Sequence, residues 1–501
     1  MVMMKDNDDI KTEAAGAAAG APIAEAMQAY ARAGALAFHT PGHKQGLGAH
    51  ELLRRLITPE GLREEVSLME ELDDLGSPTG CIREAEQLAA ELYGADAAYF
   101  MINGTTGAIH TMLMAALAPG DVVLIPRNAH RSIIGGLVLS GARPVYMQPE
   151  TDDRLGIAMG IAPDTVRQAL ADHPEARAVV LVYPTYYGVT VDIAAIADLV
   201  HAAGPEKLLL VDEAHGPHLP FSEQLPVEAL AAGADMAATS THKLLGSLTQ
   251  TSMLLARSGR IDLERVQQAA ALLQSTSPNQ LLLASLDIAR LQMQEQGREL
   301  VGRSVELADE LRRHINEIDG LWSPGGSYMD RPGASGLDVT KVTVNVRGLG
   351  LSGAEAEHML RYEYLIECEL SDAYNVLFLL SYADTAAQTQ RLLEALTDLA
   401  VRHRRPAAQT PRRTPLPPLP ETVLTPREAY HAATETVPFA AAAGRVAAEQ
   451  IMFYPPGIPL IVPGDRITQG QLDYIREQQA IGLNVVGPAD TGLDTIRVTR
   501  D

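Results

Sequence analysis

Between residues 97 and 256 the chain alternates short, almost wholly apolar runs with amphipathic helical stretches, and this alternation constrains the fold more than any other feature. The runs are Ala97–Ile102, Val122–Pro126, Pro144–Met147, Ala178–Tyr183, Leu208–Val211, Met236–Thr239 and Ser252–Ala256. Helical spacing marks Ile23–Arg32, Gly107–Leu117, Ser132–Leu139, Pro163–Ala171, Ile193–Ala202 and a long segment, Arg265–Gln296. A strand with no polar face is buried on both sides. The pattern therefore predicts an α/β fold with a mostly parallel sheet covered by helices on both faces.

Past residue 300 the pattern changes. Val339–Val346 alternates as a strand, Glu355–Tyr362 reads as a helix and Val376–Ser381 as another strand, which predicts a smaller α+β unit. A length of 501 residues allows roughly three folded units. The expected divisions are a flexible tail at 1–20, an N-terminal segment and large domain at 21–300, a small α+β domain at 301–401, a linker at 402–420 and a C-terminal module at 421–501. The linker holds five Arg and six Pro without an acid, so it reads as extended and solvated. Its Pro415-Leu-Pro-Pro-Leu-Pro420 run also suits a polyproline II ligand for a binding partner.

Hydrophobic residues make up 46% and charged residues 21%, ordinary values for a globular protein that exclude a disordered chain, a collagen and a coiled-coil rod. The formal charge of −23 argues against nucleic-acid binding, which needs clustered Lys and Arg. Two cysteines, Cys81 and Cys368, supply neither a disulfide framework nor a cysteine zinc site, and a reducing cytoplasm is the expected setting. The first ten residues are acidic where a signal peptide is basic, and no apolar run is long enough to span a membrane.

Four short motifs follow strand candidates. Ser240-Thr-His-Lys243 places a lysine just past a buried run. Desolvation lowers a lysine's pKa, and its neutral amine then forms Schiff bases. A plain surface lysine past a strand end is the competing reading. Val211-Asp-Glu-Ala-His-Gly216 puts Asp212 at a strand's carboxyl end, where open α/β sheets collect ligands. Such a carboxylate suits the ring nitrogen of pyridoxal phosphate (PLP). The same segment also reads as a helix cap, or, with Glu213, His215 and His218, as a loose metal set without a matching distant ligand. Asn103-Gly-Thr-Thr-Gly107 offers amides and hydroxyls to a phosphate at a helix start, or is an ordinary cap. His130, in Arg127-Asn-Ala-His130, either stacks on a flat cofactor or serves as a structural hydrogen-bonding residue.

In this order and at this spacing the motifs resemble the fold-type I PLP enzymes, and among them the compact biosynthetic branch of the Orn/Lys/Arg decarboxylase family. The resemblance also takes in Phe38-His-Thr-Pro-Gly-His-Lys-Gln-Gly46, Leu72-Asp-Asp-Leu-Gly-Ser-Pro-Thr-Gly80, Ser275-Thr-Ser-Pro278 and the C-terminal segment Tyr454–Asp465. It implies a large PLP domain of the aspartate aminotransferase type. PLP would be held by Lys243 as a Schiff base, with Asp212 on the ring nitrogen, Ala214 and His130 on the two ring faces, and His215 tuning Asp212. Thr105, Thr106, Ser240 and His242 would hold the phosphate, and Thr276 would reach the neighbouring subunit's site in a homodimer or larger homo-oligomer. Lys243, His130 and Asp212 are the implied catalytic residues, and Asp465, Tyr454 and His43 the substrate-binding candidates; no metal is expected.

The implied reaction is decarboxylation of a basic amino acid for polyamine synthesis, with arginine favoured over lysine and ornithine. Val462-Pro-Gly-Asp465 has Asp where Glu is usual, and Asn279-Gln280 stands where relatives carry Ser-Tyr. The rivals are another fold-type I reaction, either carbon–carbon cleavage or aminotransfer with Arg347 or Arg361 fixing the substrate carboxylate, and a non-catalytic binding relative.

Overall fold

A computed structural model describes residues 20–405, 416–453 and 457–500. All seven expected runs are strands, and they form one sheet. Its spatial order is Ala97–Met101, Ser252–Ala256, Met236–Thr239, Leu208–Glu213, Ala176–Val182, Val122–Pro126 and Arg143–Met147. The last five are mutually parallel, while Ser252–Ala256 runs antiparallel to both its neighbours. Side chains alternate between faces, and each face has its own core. Val122, Leu124, Leu209 and Val211 pack on one side, and Val123, Ile125, Leu208 and Leu210 on the other.

The expected single helix over Arg265–Gln296 is two helices, Leu263–Leu273 and Gln280–Ile315. Pro278 lacks the N–H that a continuous helix would use, and the Asn279 side chain caps the second helix by accepting from Leu282 N–H at 3.1 Å. That second helix carries Leu283, Leu286 and Val301 into the large core and Ala308, Leu311 and Ile315 into another. The boundary expected at 300/301 thus falls inside one rigid element. The second core covers an antiparallel sheet of Lys341–Asn345, Asn375–Leu379 and Leu370–Ser371.

Residues 434–499 hold a further core around Phe439, Ile451, Ile461 and Ile475. Of the linker, 406–415 lie outside the described residues. Leu416–Pro420 are not a free spacer. They line a cavity of about 240 Å³ with Phe453, Ile458 and Tyr474, because Leu and Pro rings gain by covering these apolar neighbours. Among the described residues, no helix is long and apolar enough to cross a membrane.

Helix Cys81–Leu92 buries Glu86, whose Oε1 accepts from Phe100 N–H at 2.9 Å. Burial pushes this carboxyl up to about 8. Between the ordinary carboxylate range and that value the folded chain keeps a proton that the unfolded chain has released, so stability falls as pH rises through about 8. Glu86→Gln keeps the acceptor and is expected to flatten that slope, which urea unfolding at about pH 6 and about pH 9 measures. An unchanged slope in the variant would assign the dependence to another group.

Candidate active site

The parallel strands all end at one edge of the sheet, and the motifs lie in the turns that follow. Register pairs Asp212 with Ala238, two residues before Ser240. Because Ser252–Ala256 runs the other way, its first residues reach the same edge. There Thr251 O accepts from His242 Nδ1 at 2.8 Å, and Ser252 Oγ lies 3.0 Å from Thr105 Oγ1.

Lys243, in the short helix Thr241–Leu244, is half-buried, and its Nζ is 3.0 Å from His215 Nε2. Tyr186 closes the group, with its ring centroid 4.6 Å from that of His215 and 5.5 Å from Lys243 Nζ. Burial lowers the Lys243 amine and outweighs the nearby charges of Asp212 and Glu369. Asp212 is buried, and burial raises its carboxyl against the pull of Lys243 and of Ala214 N–H, which donates to Oδ1 at 3.2 Å. The loose metal set does not converge. Asp212 caps Ala214, Glu213 accepts from Ala229 N–H, His215 meets Lys243, and His218 meets Asp338. His215 turns its Nε2 to Lys243 and not to Asp212.

His130 caps helix Arg131–Ser140 by accepting from Ser132 N–H on Nδ1. The ring proton is therefore on Nε2. Burial, with the charge of Lys243, holds this imidazole down at about 4, so it is neutral near pH 7. Helix Gly104–Ala116 begins without a side-chain cap, leaving first-turn amides and the exposed Thr106 for an anion. Thr105 is different. Ser252 spends its proton on Thr239 O, so Thr105 must donate to Ser252 and has no proton left for a phosphate. His242 likewise spends its Nδ1 proton on Thr251 O, and burial keeps the ring neutral, so Nε2 presents a lone pair instead of a donor. Buried Ser240 has its Oγ 3.4 Å from His242 Nδ1, and Thr276 is exposed in the loop between the two helices.

Two substrate-binding expectations are corrected here, and a third lies outside the described residues. Asp465 is 1% exposed, with its Oδ2 on Arg127 Nη2 at 2.6 Å and on Val462 N–H at 3.1 Å. Its cation is supplied by the chain itself, so it ties the C-terminal module to the sheet. His43 accepts from Gly46 N–H on Nδ1 and meets Glu65 Oε2 through Nε2 at 2.8 Å, which leaves neither nitrogen for a substrate. Tyr454 is outside the described residues.

An uncapped helix start, a neutral imidazole and a buried carboxylate with no ion pair among the described residues share the sheet edge with the half-buried Lys243 amine. This set fits a flat, phosphorylated ring with a basic nitrogen. Family comparison agrees with that chemistry: residues 21–324 match the Orn/Lys/Arg decarboxylase major domain and 411–487 its C-terminal domain. The chain belongs to the Orn/Lys/Arg decarboxylase family. It is 44% identical over 481 residues to an arginine decarboxylase of Halalkalibacterium halodurans, covering 96% of this chain and 98% of that one. The lysine decarboxylase LdcF of Francisella novicida shares the fold, with a TM-score of 0.82 at 24% identity over 96% of this chain and 81% of the other. The fold extends to a ureidoglycine–glyoxylate aminotransferase of Bacillus subtilis, with a TM-score of 0.52 at 17% identity over 66% of this chain and 88% of the other. The decarboxylase therefore has the fold-type I architecture.

Sequence reasoning missed Tyr186, although Tyr183-Pro-Thr-Tyr-Tyr-Gly188 follows an apolar strand as the other motifs do. It also missed a fully buried group behind His215. Lys341 Nζ lies 2.9 Å from Asp338 Oδ2 and 3.4 Å from the His215 carbonyl, and His218 Nε2 is 3.1 Å from the same Asp338 oxygen. A Lys and an Asp three apart at the start of a strand look solvated in the sequence.

Proposed function

We propose that this decarboxylase converts arginine to agmatine with PLP at the Lys243 site, as a cytoplasmic homodimer that feeds polyamine synthesis. The observation that carries the reading is Lys243, half-buried beside Asp212 at the sheet's carboxyl edge, with its amine lowered by burial. Lys243 would bond the cofactor, Asp212 would meet the ring nitrogen, and His130 and Ala214 would flank the ring. Thr106, the first-turn amides and Ser240 would hold the phosphate. Thr105 and His242 would brace that cradle through Ser252 and Thr251.

PLP bound there supplies the sink for the electron pair left when the carboxylate departs. The chain's residues orient and exclude water. Neutral His130 presents an Nε2 proton without a full charge, so it can orient a carboxylate without the firm hold of a guanidinium. The arginines considered for an aminotransferase have other contacts: Arg361 pairs with Glu367 at 3.1 Å, and Arg347 lies over Tyr374. Arginine as substrate is supported by the 44% identity to an arginine decarboxylase, against 24% to a lysine decarboxylase.

The dimer is supported by Leu36, Phe38, Leu47 and Leu56, each more than four-fifths exposed on the N-terminal segment. The exposed Thr276 is free to reach a second copy's site. Incubation with arginine, lysine and ornithine, followed by amine quantification, tests the substrate. Agmatine is expected to dominate, while cadaverine or putrescine in excess would reassign the substrate, and a keto acid would reassign the reaction. Light scattering of the same sample reads the mass, expected at two chains.

A further inference from the structure

We propose that His215 is the hydrogen-bond acceptor that positions the Lys243 amine, and that the buried Lys341–Asp338–His218 group holds His215 in that role. The contact is direct, with Lys243 Nζ 3.0 Å from His215 Nε2. The residue is held at its ring and at its backbone. Tyr186 packs against the ring, and Lys341 Nζ lies 3.4 Å from the carbonyl of the same residue. Lys341 cannot swing away, because it is buried and ion-paired to Asp338. Asp338 in turn takes Thr340 Oγ1 and N–H on Oδ1, and Lys341 and His218 on Oδ2.

Every charge facing the imidazole bears on its proton. Burial, and then the charges of Lys243 and Lys341, oppose a second proton on His215, while Asp338 favours one. His215 therefore stays neutral. Its Nδ1 is buried without a partner, so neither nitrogen has a competing bond that would turn the ring away from Lys243. A neutral acceptor at hydrogen-bond distance stabilises the ammonium form of Lys243 and fixes its place. Burial and the Lys341 charge pull the amine the other way, while Asp212 and Glu369 support the ammonium. The balance leaves a held amine that still releases its proton more readily than a solvated lysine.

This role shares with the proposed function only the premise that Lys243 is the reacting amine. It is tested without turnover. Competitive labelling of the cofactor-free full-length chain with an amine-reactive reagent across pH, read by mass spectrometry on the Lys243 peptide, gives that amine's titration midpoint. Phe at 215 keeps the ring contact with Tyr186 and removes the acceptor, whereas Gln restores an acceptor. His215→Phe is expected to lower the midpoint by about one pH unit, and His215→Gln to return it to within about a third of a unit of the parent. An unmoved midpoint in His215→Phe, or equal shifts in both variants, would overturn the assignment. Should His215→Phe fail to fold, imidazole nitrogen chemical shifts of the parent chain decide. A neutral His215 between about pH 6 and about pH 9 is expected, and a ring that titrates near the ordinary histidine value would overturn the role.

Discussion

Lys243→Ala is expected to abolish the visible absorption that survives dialysis and to lower decarboxylation by on the order of 10⁴- to 10⁶-fold. The reason lies in the site's division of labour. Asp212, His130 and the uncapped helix start would still hold a ring and a phosphate, but among the described residues Lys243 alone brings an amine to His215 Nε2. Residual affinity for the cofactor with loss of its covalent capture is therefore the expected signature, read by absorbance before and after dialysis. A variant that kept a visible band through dialysis would place the covalent bond on another lysine.

Lys341→Met should have the largest effect on stability, about 3–5 kcal/mol by urea unfolding, because it strands a fully buried carboxylate. Against the upward push of burial, Lys341 and His218 hold Asp338 far below the usual carboxylate range. That stability is present above the carboxylate's unfolded value and fades as pH falls towards its folded one. The parent should therefore lose stability in acid, and Lys341→Met should lose less of it. Pairing the change with Asp338→Asn removes the stranded charge and is expected to recover more than half of the loss. Equal destabilisation in the single and double variants would show that packing, and not charge, sets the effect.

Most of the candidate site's placement at one sheet edge was legible because its residues obey one rule. Lys243, Asp212, Thr106 and His130 each follow an apolar strand that local sequence identifies, and parallel strands bring their ends together. What local sequence did not show was partnership across the chain. Asp465 looked free for a substrate cation, yet Arg127, 338 positions away, takes its carboxylate. Thr105 looked like a phosphate ligand until Ser252 took its proton, and Ser252 reaches it only because one strand runs antiparallel. Lys341 and Asp338 carry no signal of burial, since their partners His215 and His218 lie far away in the chain. The break at Pro278 was present in the residues, but helical periodicity on both sides concealed it.

Borohydride reduction of the PLP-loaded protein followed by peptide mapping tests the central claim most directly. A pyridoxyl group on Lys243, within the Ser240–Leu244 stretch, is the expected result. The same group on Lys341, Lys207 or Lys44, or on no lysine at all, would contradict the account.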